Sequence, residues 1–308
     1  MLLLAPGLLA WMPARAAEPA ADIQVLPGDW GEAEVPEIAT LLQAVADTLI
    51  TRPAQRPRHP IVVSYAAGDP LTLYAKGSQG EYKVHLSARD RRWSQYAYQF
   101  GHELCHILAG YDAGHQGGRG EEPAASANPH QWFEEALCET AALYTLRTLA
   151  ATWEAAPPYP GWEDYSPALQ SYAERLLDEP HRRLPQEMPL SAWLRAKEPG
   201  LRNHPYLREE NEVVANQLLP LFEEQPQGWQ ALASLNRDQA ARPADDDVFR
   251  HLQRWYDNAP AGQRAFLRNL LAHLGVAPAP GADSPTREPL APSPEAQPGI
   301  GAAGPAGS

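Results

Sequence analysis

Apolar residues recur at helical spacing over three long stretches of the chain. Residues 35–51 and 92–110 place apolar side chains three or four positions apart, which predicts two amphipathic helices. Residues 131–153 predict a third helix, rich in Ala, Leu and Thr. Residues 166–275 repeat the helical period in shorter segments, and we expect these helices to break at Pro180, Pro189, Pro199, Pro226 and Pro260.

Three strand-like segments lie between the first two predicted helices: Ile61–Ala66, Leu71–Ala75 and Glu81–Ser87. The last segment alternates apolar and polar side chains, a pattern typical of a half-buried strand, and we expect it at the edge of the sheet. Strands near the N-terminus that are followed by helices predict an α+β fold. We therefore expect a small N-terminal mixed sheet with helices, followed by a helical C-terminal part.

The two ends of the chain differ from its middle. Residues 2–12 are apolar, although no Lys or Arg precedes them, and Ala14-Arg15-Ala16 matches the small-x-small pattern of signal cleavage. We expect residues 1–16 to be a signal peptide and the protein to be exported, either periplasmic or secreted. Residues 276–308 are dominated by Pro, Ala, Gly and Ser, which predicts a disordered tail.

Charge and composition narrow the classes of function. The 308 residues include 38 Asp and Glu against 25 Lys and Arg, a formal net charge of −13. This balance argues against nucleic acid as a partner, because phosphate binding needs a basic surface. No run of 18 apolar residues follows the N-terminal segment, so we expect no stable membrane insertion after signal cleavage. The two cysteines exclude a disulfide scaffold and a Cys-rich zinc finger.

A candidate metal site begins in the second predicted helix. Residues 102–106 read His-Glu-Leu-Cys-His, the pattern HExxH. Its spacing puts His102 and His106 on one helix face, one turn apart, where both imidazoles can bind one zinc ion. Glu103 points beside that ion and can accept a proton from a zinc-bound water. A plain polar patch is the competing interpretation, but the apolar neighbours predict a buried helix, in which such groups need partners.

The third predicted helix opens with further carboxylates. Residues 132–139 read Trp-Phe-Glu-Glu-Ala-Leu-Cys-Glu, and Glu135 and Glu139 share one face. A buried carboxylate needs a cation or a strong donor, so Glu135 is the expected third zinc ligand, with the fourth position open for water. Glu139, one turn on, is expected to accept the free N–H of His102. Glu134 competes for the ligand role, but we interpret it as an acidic residue in a first helical turn.

These two segments together resemble the gluzincin metallopeptidases, the group that contains the thermolysin-like enzymes and the zinc aminopeptidases. The resemblance implies three zinc ligands, a general base and a supporting acid: His102, His106, Glu135, Glu103 and Glu139. It also implies that strand Glu81–Ser87 is the sheet edge that holds an extended peptide. Two features depart from the family. Ala136 replaces the Gly that usually follows the ligand Glu, and no Gly-x-Met-Glu-Asn segment precedes the zinc helix.

The resemblance implies a zinc-dependent hydrolase that acts on a peptide or protein substrate. The substrate cleft is expected between the sheet edge and the C-terminal helices. A gluzincin also needs a donor for the oxyanion, and of His204 and Tyr206 we favour Tyr206. The expected zincin-like domain covers residues 17–275, with the sheet, the zinc helices and the helical subdomain at residues 23–90, 91–153 and 166–275.

Alternatives to this interpretation remain open. Asp112 lies six residues after His106, where aspzincins place their third ligand, although the Gly of that pattern is displaced by one position. His115 and His130 lie in loop sequence, where a surface position is the ordinary expectation. A catalytically inactive, zinc-stabilised binding module of the cell envelope is the non-enzymatic alternative. The presence of Glu103 argues against it, because a structural site has no use for a base.

The two cysteines each lie three residues beyond a proposed ligand, on helices that must meet at the metal. In an oxidising compartment, Cys105 and Cys138 could form a disulfide between those helices. Two small buried thiols are an equally good interpretation.

Overall fold

The computed structural model describes residues 19–111, 128–237 and 247–276. The expected signal peptide and almost all of the expected disordered tail lie outside the described residues, as do Asp112 and His115. The described part has a mixed α+β architecture, in which a small sheet is followed by a larger number of helices.

A four-stranded mixed sheet forms the N-terminal part. Its strands are β1 (Ile23–Val25), β2 (Ile61–Tyr65), β3 (Leu71–Thr72) and β4 (Tyr82–Leu86), in the order β1-β2-β4-β3. β2 is parallel to both β1 and β4, whereas β3 is antiparallel to β4. The three predicted strands are therefore present, and β1 is an addition that the sequence pattern did not indicate.

The prediction that Glu81–Ser87 is the edge strand is wrong. β4 pairs with β2 along one side and with β3 along the other, so it is an inner strand, and the edge strands are β1 and β3. The alternation of apolar and polar side chains along β4 shows that one face of the sheet is more buried than the other. It does not show whether the strand has a hydrogen-bonded neighbour on each side. Tyr82, Val84 and Leu86 are buried on one face, while the residues between them are only half-buried.

Of the first three helices, two pack against the sheet and the third packs against those two helices. They are α1 (Val35–Leu49), α2 (Trp93–Ala109) and α3 (Gln131–Trp153). α2 and α3 lie so close that a Cβ on Gly101 would stand 3.1 Å from Thr145 Oγ1 and 3.3 Å from the Cα of Ala142. The missing side chain at Gly101 thus allows the close approach that brings the start of α3 to the HExxH segment of α2.

The C-terminal part consists of helices and short 3₁₀ segments. The helices are α4 (Ser166–Leu177), α5 (Leu190–Asn203), α6 (Arg208–Glu224), α7 (Val248–Asn258) and α8 (Ala261–His273). The 3₁₀ segments are Pro53–Gln55 before β2, then Pro180–Arg182 and Pro226–Ser234. No helix in the described ranges is long and apolar enough to cross a membrane.

Four of the five expected proline breaks are confirmed. Pro180 and Pro226 open 3₁₀ segments, and Pro189 and Pro260 stand directly before α5 and α8. The fifth expectation is wrong, because Pro199 lies inside α5.

Packing explains why α5 continues through its proline. Leu194 and Leu201, on either side of Pro199, are both buried. A proline inside a helix removes one hydrogen bond and crowds the preceding turn. We infer that burial on both sides of Pro199 outweighs that cost.

Candidate metal centre

The carboxylates of α3 are buried because the helix itself is buried around most of its surface. Glu134 is 1% exposed and Glu139 is 4% exposed, and apolar side chains occupy most neighbouring positions. Charged groups removed from water in this way need partners of opposite charge or strong hydrogen-bond donors. The partners come from α2 and from the C-terminal helical part.

Three side chains from α2 and α3 bring their donor atoms together. His102 Nε2 lies 3.3 Å from Glu135 Oε2, and His106 Nε2 lies 3.6 Å from Glu135 Oε1. One donor atom from each residue falls within 4.8 Å of the others. A tetrahedral zinc ion with bonds of about 2.1 Å would set its ligand atoms about 3.4 Å apart. The donor types are ones that zinc accepts, and the two separations given above, each to a different oxygen of Glu135, lie close to that value.

A hydrogen bond to Glu134 determines which nitrogen of His106 is free. Nδ1 of His106 lies 2.6 Å from Glu134 Oε1, and an ionised carboxylate can only accept, so Nδ1–H is the donor. In the neutral imidazole, Nε2 then presents a lone pair to the Glu135 carboxylate. Two acceptors face each other there, an arrangement that requires a cation or a proton between them.

Glu134 has a role that the sequence interpretation missed. It does stand in the first turn of α3, but it is buried and orients the His106 ring instead of facing solvent. Asn236 Nδ2 donates to its second oxygen at 2.6 Å. Both oxygens of Glu134 are thus held, which fixes the orientation of the His106 ring.

The charges of the cluster stabilise one another. Burial lowers the pKa of His106, but the Glu135 and Glu134 carboxylates outweigh this effect and hold that pKa well above its ordinary value. Burial raises the pKa of Glu135, but His106 and His102 outweigh it and hold that pKa far below its usual range. Glu135 is therefore an anion at neutral pH, and without a metal a protonated His106 supplies the proton that lies between the two groups. Zinc would have to displace that proton, because a ligating histidine is neutral.

Glu139 lies beside His102 but does not make the expected hydrogen bond to it. Glu139 Oε2 is 3.9 Å from His102 Nδ1, too far for a hydrogen bond. It accepts instead from the Tyr98 hydroxyl, while Oε1 accepts from Arg182 Nη1 at 2.8 Å. Arg182 is fully buried, and a buried guanidinium needs carboxylates around it. The Glu139 carboxylate therefore pairs directly with Arg182 and lies only within ion-pair distance of His102.

A second group of potential ligands surrounds Arg182. Atoms of Glu179, His181 and Glu212 also lie within 4.8 Å of one another. Glu179 accepts from Arg182, and Glu212 pairs with both Arg182 and Arg208. Because guanidinium groups already neutralise these oxygens, this group is an ion-pair network and does not resemble a cation site.

Glu103 is placed beside the cluster and against the sheet. It is 4% exposed, and Thr72 Oγ1 on edge strand β3 donates to its Oε2 at 2.8 Å. Glu103 borders two adjoining cavities with volumes of about 230 and 460 Å³, both of which also reach His102 and Glu135. The carboxylate is thus held by one oxygen at the floor of an open cleft.

Tyr206 stands in the same cleft, on the segment between α5 and α6. It borders both cavities and is 64% exposed, and its side chain is hydrogen-bonded to Tyr74. Desolvation and the negative charge of Glu135 raise the pKa of Tyr206, so its hydroxyl remains a donor at neutral pH. His204, the other candidate, is exposed and borders neither cavity.

The remaining candidates lie elsewhere or have another role. His130 is fully buried and stacks on His251 with ring centroids 4.7 Å apart, so the expectation of a surface histidine is wrong. It immediately precedes α3, where the chain enters the core. Cys105 and Cys138 are free, fully buried thiols. Burial raises the pKa of Cys138, as does its hydrogen bond with Cys105, so the two thiols are neighbours without a disulfide between them.

Sequence reasoning did not identify Thr72, Tyr74, Arg182 and Asn236. These residues come from three separate parts of the chain, with Thr72 and Tyr74 in the same segment, and carry no motif around them. No family model matches this chain, and no curated protein shows significant sequence similarity to it. Any statement of function therefore depends on the geometry and chemistry of the cleft.

Proposed function

We propose that the protein is a zinc-dependent peptide-bond hydrolase with a zincin-like arrangement. The observation that carries this proposal is the convergence of one donor atom each from His102, His106 and Glu135 within 4.8 Å of one another, next to a carboxylate in an open cleft. Zinc bound there would polarise the scissile carbonyl and acidify a water molecule. An ordinary structural zinc site closes all four positions, whereas this one has three protein ligands and a cleft.

Glu103 is the proposed general base. Its Oε2 is fixed by Thr72, while the carboxylate as a whole faces the cleft beside the ligands. It takes a proton from the attacking water and delivers it to the leaving amine. A carboxylate held by one oxygen keeps a constant orientation through both transfers.

Tyr206 is the proposed donor to the oxyanion that forms when water adds to the carbonyl. Such a donor must remain protonated, and the raised pKa of Tyr206 satisfies that condition. The Tyr74 side chain restrains Tyr206 through the hydrogen bond between them. This restraint matters because the ring of Tyr206 is otherwise largely exposed.

Edge strand β3 is the proposed binding site for the backbone of an extended substrate. Pro70, Leu71 and Thr72 border the smaller cavity, and among the described strands β3 pairs only with β4. Its other side is therefore available for backbone pairing with a peptide. We also retain export to the periplasm or the medium as part of the proposal, on the basis of residues 1–16.

Zinc content per chain, measured by elemental analysis, tests the ligand set. We expect one zinc in the wild type, none in Glu135→Ala and one in Asp112→Ala. Loss in Asp112→Ala with retention in Glu135→Ala would instead favour the aspzincin alternative. A wild type that takes up no zinc after reconstitution would refute the proposal.

Hydrolysis of a peptide library by the zinc-loaded protein tests the reaction. Glu103→Gln should keep its zinc and lose turnover by a factor of at least about 10², since general-base catalysis contributes about 10²–10⁴. Glu154→Gln, the same change at an exposed position after α3, is the matched control and should retain activity. Full activity in Glu103→Gln would overturn its assigned role.

A further inference from the structure

The larger cavity extends from the metal-ligand cluster to the first turn of α6. Its volume is about 460 Å³, and it joins His102 and Glu135 at one end to Arg208 and Asn211 on α6. This space exceeds what a water molecule and a scissile carbonyl need, so it has room for a further part of a substrate. The side chains of α6 then decide which chemical group is accepted there.

Arg208 is held in a fixed position although its side chain is 70% exposed. Its Nε donates to Glu212 Oε1 at 2.7 Å, and its Nη2 donates to the Tyr98 hydroxyl at 3.3 Å. Within the described ranges its Nη1 has no hydrogen-bond partner. An exposed arginine is ordinarily mobile, but two anchors on one edge of this guanidinium leave the rest of the fork available to a ligand.

Arg208 differs in charge from the other residues that border the larger cavity. Among the described residues that border the larger cavity, Arg208 is the single Lys or Arg, while five are acidic: Asp69, Glu103, Glu135, Glu139 and Glu212. An anionic group is repelled along most of the wall and attracted at one place. Glu212 does not cancel this attraction, because Arg182 shares its carboxylate and His181 donates to it.

The anchors also connect Arg208 to the metal-ligand cluster. The Tyr98 hydroxyl that receives Nη2 of Arg208 donates to Glu139, and Glu139 lies 3.9 Å from His102. A substrate residue next to the scissile bond can therefore reach the Arg208 guanidinium.

We infer that Arg208 binds a carboxylate of the substrate and thereby selects the peptides that are cleaved. The inference rests on the proposed peptidase function and deepens it. Two sources supply this chemistry: the C-terminal α-carboxylate of a short peptide, or the side chain of an Asp or Glu next to the scissile bond. A planar guanidinium binds either one through paired N–H donors.

Matched libraries of acetylated hexapeptides distinguish the two sources. The first two libraries have the same sequences and differ only at the C-terminus, which is a free carboxylate in one and an amide in the other. Two further libraries both end in amides and differ at one set of internal positions, which hold Glu in one library and Gln in the other. Cleavage sites and rates are read by mass spectrometry. We expect the zinc-loaded wild type to prefer carboxylate over neutral partner by about 10- to 100-fold in kcat/KM, the usual range for hydrogen bonds to a charged group.

Substitution of Arg208 then assigns the preference. In Arg208→Gln the ratio of kcat/KM between carboxylate and neutral peptides should fall toward one, and Arg208→Lys should restore part of it. Arg195→Gln, the same loss of charge at an exposed position on α5, is the matched control and should keep the wild-type ratio. A preference confined to the free-acid library identifies an α-carboxylate, and one confined to Glu over Gln identifies a side chain.

A binding measurement keeps this inference separate from the proposed reaction. Equilibrium dialysis of the same libraries against zinc-loaded Glu103→Gln protein requires no turnover. Carboxylate peptides should be enriched on the Glu103→Gln protein and not on the double variant that also carries Arg208→Gln. That result supports the inference even if no peptide is hydrolysed. Equal retention of both forms, or enrichment that survives Arg208→Gln, would overturn it, whereas hydrolysis without any carboxylate preference leaves the peptidase proposal intact.

Discussion

Replacing Arg182 with methionine should destabilise the protein more than almost any other change of a single charge. The guanidinium is fully buried and pairs with three carboxylates, those of Glu139, Glu179 and Glu212, at 2.8–2.9 Å. Methionine keeps most of the aliphatic volume of the arginine side chain, so the change removes charge and hydrogen bonds without a large cavity. The carboxylates that remain are then buried with too few donors.

The magnitude follows from what each carboxylate loses. Glu139 and Glu212 are almost fully buried, whereas the Glu179 side chain is 36% exposed and can be solvated. Removing one partner of a buried ion pair costs about 3–5 kcal/mol. Glu139 retains the Tyr98 hydroxyl and Glu212 retains Arg208, so we expect the low end, about 3 kcal/mol. For a domain of this size that loss lowers Tm by about 6–12 °C.

Urea denaturation and thermal unfolding of the zinc-loaded protein measure the effect. Arg183→Met is the matched control, because Arg183 is the next residue, its side chain is 66% exposed and its partner Asp178 is 3.4 Å away in solvent. Exposed pairs of this kind contribute at most about 1 kcal/mol. A loss of less than 1 kcal/mol in Arg182→Met, or an equal loss in both variants, would refute the reasoning.

Three further predictions follow from the cleft and its supports. Glu134→Ala should weaken zinc binding about 10- to 100-fold, measured by competition with a chromophoric chelator, because His106 then loses the acceptor of its Nδ1–H; unchanged affinity would contradict this role. Tyr206→Phe should lower kcat by about 10²-fold or more and leave KM nearly unchanged, as expected for a donor used in the transition state; an effect on KM alone would indicate substrate binding instead. Cys105 and Cys138 should resist a thiol reagent in the native protein and both react after denaturation without reductant; two unreactive cysteines in the denatured chain would show a disulfide.

Much of the local structure can be predicted from the sequence. The bounds of α1, α2 and α3 lie within two residues of the predicted ones, because period and apolar content are properties of consecutive residues. The relation between His102 and His106 is equally local, since one helical turn separates them. The meeting of these residues with Glu135 also agrees with the sequence argument, while zinc binding itself stays a prediction.

Only the tertiary structure decides the supports of the site. Contacts between residues distant in the chain place β3 at an edge of the sheet and bury Glu134. Such contacts also pair Glu139 with Arg182. No local pattern encodes such contacts, because a strand alternates in the same way whether one or both of its sides are paired. The passage of α5 through Pro199 has the same origin. The sequence alone determines which helices present the candidate ligands, and packing determines how those ligands are held.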